Sequence, residues 1–261
     1  MVKRTLLLCA SFLVVALVAG CPGGTGGGNP PPPTDNKQIF DMSKATATVS
    51  GKISFEGTPP SNDKVQMSSD SYCQMHAADY PAAETVQVSD GGMENVIVFV
   101  SSGLQSGVTY ATKSDPVEII QQNCHYIPHV FTMMTNQSLS VKNGDGTLHN
   151  IHVWSEKNPQ FNVGQPVKDM VTQTKFTMPE VPVPIRCDVH KWMGAFVGIF
   201  DHPFGTVSKK GGSFELKLPA GNYEITAWHE KYGKKTMMVM VNENDKKEVN
   251  FSFNANDKAA D

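Results

Sequence analysis

The sequence predicts an all-β protein, and two observations support this fold class. Glycine (22 residues) and proline (17) are abundant while charged residues make up only 18% of the chain, a composition that suits strands and tight turns. Short runs rich in β-branched and aromatic residues also recur between turn signals along most of the chain. With 261 residues, the chain is long enough for one large or two modest domains with a hydrophobic core.

The N-terminus predicts the signal peptide of a bacterial lipoprotein over residues 1–20. Two basic residues precede a mostly apolar run that is too short to span a membrane comfortably. The small residues Ala19 and Gly20 lead directly into Cys21, as in a bacterial lipobox. We therefore expect Cys21 to be lipidated and to become the mature N-terminus. The alternatives are an ordinary signal peptide in which the cysteine has no role, or a short membrane anchor.

Residues 21–40 predict a flexible tether, because this Gly- and Pro-rich stretch cannot bury a core. A tether after a lipid anchor would hold the protein in the cell envelope, facing the periplasm or on the cell surface. Pro22 in place of an aspartate indicates the outer membrane.

The chain has 22 Lys and Arg against 25 Asp and Glu. This mild acidic excess argues against a nucleic-acid partner, which needs a positive field.

After the signal peptide and the tether, strands are predicted near both ends of the rest of the chain. Residues 45–55 form a strand-like run interrupted at Gly51, and a Gly-Pro turn follows it. The apolar, β-branched run 95–100 fits a buried strand. Further short strand-like runs are found near the C-terminus, at residues 212–218, 223–228, 236–241 and 248–253.

These terminal stretches resemble a known module. The C-terminal GGSFELKLPAGNYEITAWHEKYG is similar to the carboxypeptidase regulatory-like β-sandwich, in which a proline-glycine turn joins two strands. ATATVSGKISFEGTPP resembles the opening strand of that module. The resemblance implies a small β-sandwich made of residues 41–114 and 203–261, with another domain inserted between its two halves.

Residues 115–202 are the predicted inserted domain. Polar and glycine-rich turns separate its short strand-like runs, a pattern typical of a sandwich or barrel. The runs occur at residues 117–120, 138–143, 151–154, 174–178, 183–187 and 195–200.

A set of metal-binding residue types is concentrated in this segment. His149 follows a Gly-Asp-Gly turn, and a Cys-x-x-His-x-x-Met loop about forty residues later contains Cys187, His190 and Met193. Two imidazoles and a thiolate in a plane with a weak axial thioether form a blue-copper site. The spacing predicts these four residues as ligands of one copper ion. Asn150 would hydrogen-bond across to the ligand loop and keep the two ligand segments in register.

Residues 115–202 resemble the cupredoxin family in the Gly-Asp turn, the His-Asn pair and the Cys-x-x-His loop. The resemblance implies a cupredoxin-like Greek-key β-sandwich or barrel that holds a type 1-like copper ion at His149, Cys187, His190 and Met193. The loop departs from the plastocyanin-like pattern, because only two residues separate the second histidine from the methionine. A dinuclear copper centre is disfavoured, since it needs a second bridging cysteine in the loop.

Other ligand sets remain open at this point. A Cys-x-x-His pair also occurs in zinc sites, which take four strong ligands. His129 is the residue most suited to act as an extra or substitute ligand. His152 lies three residues after His149, so a straight strand would point the two side chains to opposite faces.

Two further cysteines, Cys73 and Cys124, are predicted to form a disulfide, because paired thiols oxidise in the export compartment. Cys187 then remains as the odd thiol, and metal binding gives it a role. The alternative is a second metal site in which Cys73 acts with His76, and Cys124 with His125 or His129.

Three functions fit these patterns. The first is an electron carrier, not an enzyme, that exchanges single electrons with a redox partner protein of the periplasm or membrane. The second is a catalytic or small-molecule-sensing copper site with an exposed coordination position. The third is a structural or copper-storage envelope lipoprotein. The chain contains no P-loop, no HExxH and no nucleophile elbow, so the sequence gives no indication of hydrolase or nucleotide chemistry.

Overall fold

The computed structural model describes residues 37–80 and 82–258. The predicted signal peptide, the lipidation site Cys21 and most of the predicted tether lie outside these residues. The described part contains 21 strands, one short α-helix (α1, Ser71–Met75) and two 3-10 helices (Met42–Lys44 and Lys210–Gly212), so the all-β prediction is confirmed. Within the described residues, helices are too short or too polar to cross a membrane.

The strands follow one another closely along the chain. In order they are β1 (Gln38–Ile39), β2 (Ala47–Glu56), β3 (Val88–Ser89), β4 (Gly92–Met93), β5 (Ile97–Ser102), β6 (Val108–Thr109), β7 (Val117–Gln122), β8 (His125–Ile127), β9 (Val130–Met134), β10 (Ser138–Asn143), β11 (His149–Val153), β12 (Phe161–Gln165), β13 (Val171–Lys175), β14 (Glu180–Arg186), β15 (Gly194–Phe200), β16 (Gly205–Val207), β17 (Ser213–Leu218), β18 (Gly221–His229), β19 (Gly233–Val241), β20 (Lys246–Glu248) and β21 (Phe251–Asn254).

The first sandwich combines strands from both ends of the described chain. One of its sheets has the order β17-β2-β4-β3, with β20 and β21 also paired to β2, and the other has the order β16-β5-β18-β19. Alternating residues of these strands fill a shared core. On β17, for example, Phe214, Leu216 and Leu218 are buried while the residues between them are exposed.

Strand β2 is continuous through Gly51, although the sequence predicted an interruption there. Its parallel partner changes at this point, from β20 before the glycine to β21 after it. A Cβ atom at Gly51 would lie 1.8 Å from the carbonyl oxygen of Val249, between those two partner strands. The glycine is therefore needed for a close backbone approach rather than for a turn.

The second sandwich is formed by the middle of the chain. Its sheets have the orders β13-β10-β7-β8 and β12-β11-β14-β15-β9. Residues of both sheets contribute to one hydrophobic core, which includes Ile119, Leu139, Ile151, Ile185 and Val197. Full burial of each such side chain stabilises the fold by about 1.5–3 kcal/mol.

The segment that contains α1 packs on this second core. Met67, Cys73 and Tyr80 are buried in the same cluster as the strands of the second sandwich. A third cluster lies between the two sandwiches, where the rings of Phe196 and Trp228 are 5.2 Å apart. The two sandwiches are therefore joined through a packed apolar contact.

Candidate metal centre

Three of the four predicted ligands meet at one end of the second sandwich. His149 is the first residue of β11, Cys187 directly follows β14, and His190 lies in the turn before β15. Their ligand atoms all lie within 4.8 Å of one another, and the three residues are at most 1% exposed. Their convergence gives two imidazoles and a thiol facing a common point away from water.

The two imidazoles face each other through their inner nitrogens. The Nδ1 atoms of His149 and His190 are 2.9 Å apart, and the Sγ atom of Cys187 is 3.9 Å from Nδ1 of His190. Each outer nitrogen faces a carboxylate, which assigns the proton of a neutral ring to Nε2. In two neutral rings the Nδ1 lone pairs would then face each other, an arrangement that either a proton shared by the rings or a bound metal ion stabilises.

The ligand loop is closed by its own backbone. The N–H of Met193 donates to the carbonyl of His190 (2.9 Å), and the N–H of Cys187 donates to the carbonyl of Met193 (3.3 Å). The N–H of His190 donates to Sγ of Cys187 at 3.3 Å. Met193 is fully buried, in the same hydrophobic cluster as Cys187. The short Cys-x-x-His-x-x-Met spacing therefore forms a compact turn.

Asn150 makes the contact that the sequence predicted. Its Oδ1 accepts a hydrogen bond from the N–H of Asp188 (2.6 Å), and its Nδ2 donates to the Asp188 carboxylate (3.1 Å). His152 also contacts that carboxylate, with its Nδ1 3.0 Å away. These contacts tie β11 to the ligand loop and keep His149 opposite Cys187.

A buried carboxylate holds the outer nitrogen of His149. Nε2 of His149 lies 2.8 Å from Oδ2 of Asp145, and Asp145 also accepts the backbone N–H groups of Asn123 and Cys124 at 2.8 Å each. Burial raises the pKa of Asp145, but the hydrogen bonds from His149 and the two N–H groups outweigh it and lower the pKa. Burial lowers the pKa of His149, while Asp145 and Cys187 outweigh this effect and raise it.

A second carboxylate lies at the outer nitrogen of His190. Oδ2 of Asp70 is 3.3 Å from Nε2 of His190 and accepts a hydrogen bond from the hydroxyl of Thr147 (3.0 Å). Oδ1 of Asp70 caps α1 by accepting the N–H of Cys73 (2.9 Å). Desolvation raises the pKa of Asp70, but the hydrogen bonds from Cys73, Thr147 and His190 lower it overall.

The sequence pattern predicts neither carboxylate as part of the site. Asp145 lies in the Gly-Asp-Gly turn four residues before His149, and this position is a local signal that could have identified it. Asp70 has only the pattern of an N-cap residue before a short helix. It is 120 residues away from His190, and no local pattern connects the two.

The environment of Cys187 favours its thiolate. Burial raises the pKa of this thiol, but hydrogen bonds from His149, His190 and the backbone N–H groups of Asn150 and His190 outweigh burial. The net result is a pKa of about 6. The thiolate is the form of cysteine that binds a metal ion.

Cys73 and Cys124 form the predicted disulfide. Both thiols are used by this bond, so the alternative second metal site is not formed. His76 instead lies 3.3 Å from Asp79, and the ring of His125 stacks on Tyr80. Cys187 is the free cysteine of the described residues.

His129, the predicted extra ligand, does not join the cluster. Its Nδ1 lies 3.0 Å from the carbonyl oxygen of Gly194, and its Nε2 lies 2.5 Å from Oε1 of Glu230. Both ring nitrogens are therefore engaged by oxygen atoms. Burial lowers the pKa of His129, but the contact with Glu230 outweighs burial and raises it.

Comparison with known proteins gives only partial structural similarities. The sequence matches no protein-family model and no curated protein. A Cu-containing nitrite reductase from Thermus scotoductus SA-01 is similar at 16% identity over 38% of this chain, with a TM-score of 0.31, and the match spans 25% of the reductase. A purple cupredoxin from Nitrosopumilus maritimus is similar at 17% identity over 32% of this chain and 98% of its own, with a TM-score of 0.28. An amicyanin variant in the Cu(I) state is 12% identical over 41% of this chain and 99% of its own, with a TM-score of 0.29.

Proposed function

We propose that this protein binds one copper ion in a type 1-like site and transfers single electrons. The observation that supports the proposal is the convergence of His149, Cys187 and His190, whose ligand atoms lie within 4.8 Å of one another in a buried position. A soft thiolate and two imidazoles are the donor set that copper prefers. Met193, buried at the end of the same loop, is proposed as the axial thioether.

The donor set favours copper over zinc. A structural zinc site takes four strong ligands, and no fourth His, Cys, Asp or Glu of the described residues joins these three. Asp145 and Asp70 face the outer nitrogens of the histidines rather than their inner ones. The residues present therefore fit copper with three strong ligands and one weak ligand.

Copper bound here would supply a one-electron redox couple. The protein's own residues would hold the ligand atoms in place in either oxidation state, because the loop is closed by backbone hydrogen bonds and by Asn150. The ligands are also shielded from water, since all three are at most 1% exposed. A site that is rigid and closed to substrate suits electron transfer better than catalysis or sensing.

The surface beside the site suits contact with a redox partner. Leu148 and Val189 directly precede the two histidines in sequence and are 43% and 47% exposed. Their apolar side chains extend the buried site to the protein surface. We propose that a periplasmic or membrane partner protein docks there and exchanges electrons through the adjacent histidines.

The proposed location is the bacterial cell envelope, with a lipid anchor at Cys21 and most of the tether beyond the described residues. The Cys73–Cys124 disulfide supports an oxidising compartment. We also propose the domain division given by the sequence, with residues 115–202 inserted into a sandwich of residues 41–114 and 203–261, except that the segment with Met67, Cys73 and Tyr80 packs on the core of the inserted sandwich. The first core supports this division, because it combines side chains from positions 47–100 with side chains from positions 204–253.

The test is an optical and electron paramagnetic resonance titration of the purified protein with Cu(II). We expect one equivalent to produce an intense visible thiolate-to-copper band that a reductant bleaches reversibly. A colourless protein that retains zinc through the same titration would overturn the proposal and leave a structural metal site in its place.

A further inference from the structure

The disulfide and the two histidines are connected through two carboxylates. Asp70 lies 3.3 Å from Nε2 of His190 and accepts the backbone N–H of Cys73 at 2.9 Å. Asp145 lies 2.8 Å from Nε2 of His149 and accepts the backbone N–H of Cys124 at 2.8 Å. Each half of the disulfide is thus attached to the carboxylate that faces one histidine.

The disulfide itself lies against the site. Ligand atoms of Asp70, Cys73 and His190 lie within 4.8 Å of one another, as do those of Cys124, Asp145 and His149. The carbonyl of Cys124 also accepts a hydrogen bond from Nε1 of Trp192 in the ligand loop, at 3.0 Å. The bridge therefore contacts both halves of the site through short polar links.

Helix α1 is seated on the turn that contains Asp145. A Cβ atom at Gly146 would come within 3.1 Å of the ring of Tyr72, so the glycine lets the helix approach. The hydroxyl of Thr147, one residue further on, donates to Asp70 at 3.0 Å. Side-chain and disulfide contacts together fix α1 against the end of the second sandwich, directly over His190.

We propose that Asp70 and Asp145, held together by the Cys73–Cys124 disulfide, are positioning residues that orient the rings of His190 and His149. Each carboxylate accepts the Nε2–H of one ring and leaves its Nδ1 lone pair facing the common point. The disulfide links residues 51 apart in sequence and so keeps both acceptors in place together. This inference rests on the proposed metal binding, because it assigns how the ligands of that site are pre-oriented.

An Asp70→Asn variant tests the positioning role. Asparagine still caps α1 through its side-chain oxygen, but its amide group no longer provides a carboxylate acceptor for His190. We expect copper affinity, measured by competition with a chelator, to fall about 10–100-fold. The electron paramagnetic resonance spectrum should broaden as the His190 ring samples several orientations.

The matched control is Asp41→Asn. Asp41 also caps a short helix with its side chain, accepting the N–H of Ser43 at 3.0 Å, but its polar contacts do not include a histidine. Its copper affinity and spectrum should equal those of the unchanged protein. An Asp70→Asn protein with unchanged affinity and spectrum would overturn the inference.

A readout without metal separates this inference from the proposed function. In the copper-free protein, the Nε2–H protons of His149 and His190 should exchange slowly with water and give two downfield proton NMR signals. Asp70→Asn should remove the signal of His190 and retain that of His149. If both signals are present but the protein binds no copper, the proposed function fails and the positioning role stands. If neither ring proton is protected while copper binds, the positioning role fails and the proposed function stands.

The contribution of the disulfide is tested by a double-mutant cycle. The Cys73→Ala, Cys124→Ala protein and Asp70→Asn should each weaken copper binding. Their combination should weaken it by less than the product of the two fold-changes, because part of the effect of the disulfide reaches His190 through the same Asp70 contact. Independent, multiplicative effects would remove the disulfide from the positioning role. If the bridge-free protein does not fold, the Asp70→Asn arm still decides the assignment for that carboxylate.

Discussion

The Nδ1 atoms of His149 and His190 lie 2.9 Å apart, although the residues are 41 positions apart in the chain. Two neutral imidazoles whose outer nitrogens donate to carboxylates would bring two lone pairs together at this distance. The buried thiol of Cys187 faces the same point. The geometry therefore favours a positive charge at this position, carried either by a proton shared between the rings or by a metal ion bound by the two rings and the thiolate.

Replacing Cys187 by serine should abolish tight copper binding and the visible band, because a hydroxyl does not become an anionic soft ligand near neutral pH. The measurement is the absorbance spectrum after one equivalent of Cu(II). His129→Gln is a useful control, since His129 contacts Glu230 and Gly194 rather than the cluster. That variant should keep its colour. A coloured serine variant would remove Cys187 from the ligand set.

Met193→Leu should retain copper and raise its reduction potential. Leucine has a similar volume and suits a fully buried position, but it removes the electron-donating thioether that stabilises Cu(II) relative to Cu(I). The potential is measured by a redox titration of the visible band. An unchanged potential would show that Met193 is a packing residue, and Met133→Leu, another buried methionine of the same core, provides the comparison for packing effects alone.

Much of this site could be predicted from the sequence, because most of its ligands lie close together in one loop or are recognisable by residue type alone. Cys187, His190 and Met193 share one short loop, and the number of cysteines led to the Cys73–Cys124 pair. The role of Asp70 could not be predicted in this way. Its contact with His190 depends on how the segment before the second sandwich packs onto the core of that sandwich, and no periodicity or spacing encodes such a contact.

His129 is a residue that the sequence predicts as a ligand but that a contact distant in the sequence holds away from the cluster. A histidine near the predicted site is a reasonable ligand by residue type, but its partner Glu230 is 101 residues away on the first sandwich. The fold brings this carboxylate to the imidazole and so directs its ring away from the cluster. The fold class itself was predictable, because alternating patterns such as that of β17 depend on neighbouring residues only.

Removing the disulfide should destabilise the protein. Cys73→Ala with Cys124→Ala opens a link between positions 51 apart, and the loss of a native disulfide costs about 2–5 kcal/mol in free energy of unfolding. Chemical denaturation of the copper-free protein measures the difference. A change well below this range would mean that α1 is held on the second sandwich mainly by its other contacts, such as those of Tyr72 and Thr147.

In the copper-free protein, the contribution of Cys187 to the free energy of unfolding should grow as the pH rises from about 6 toward 9. Burial raises the pKa of Cys187, but hydrogen bonds from His149 and His190 outweigh it, and the folded-state pKa is about 6. In the unfolded chain the thiol has an ordinary pKa, so the unfolded state binds more protons over this interval. The stabilising contribution of the thiolate is complete above the unfolded pKa and is lost as the pH falls through the folded value. Urea denaturation at a series of pH values measures it against Cys187→Ser, which lacks the titrating group. Parallel curves for the two proteins between pH 6 and 9 would show that Cys187 remains a neutral thiol in the folded protein.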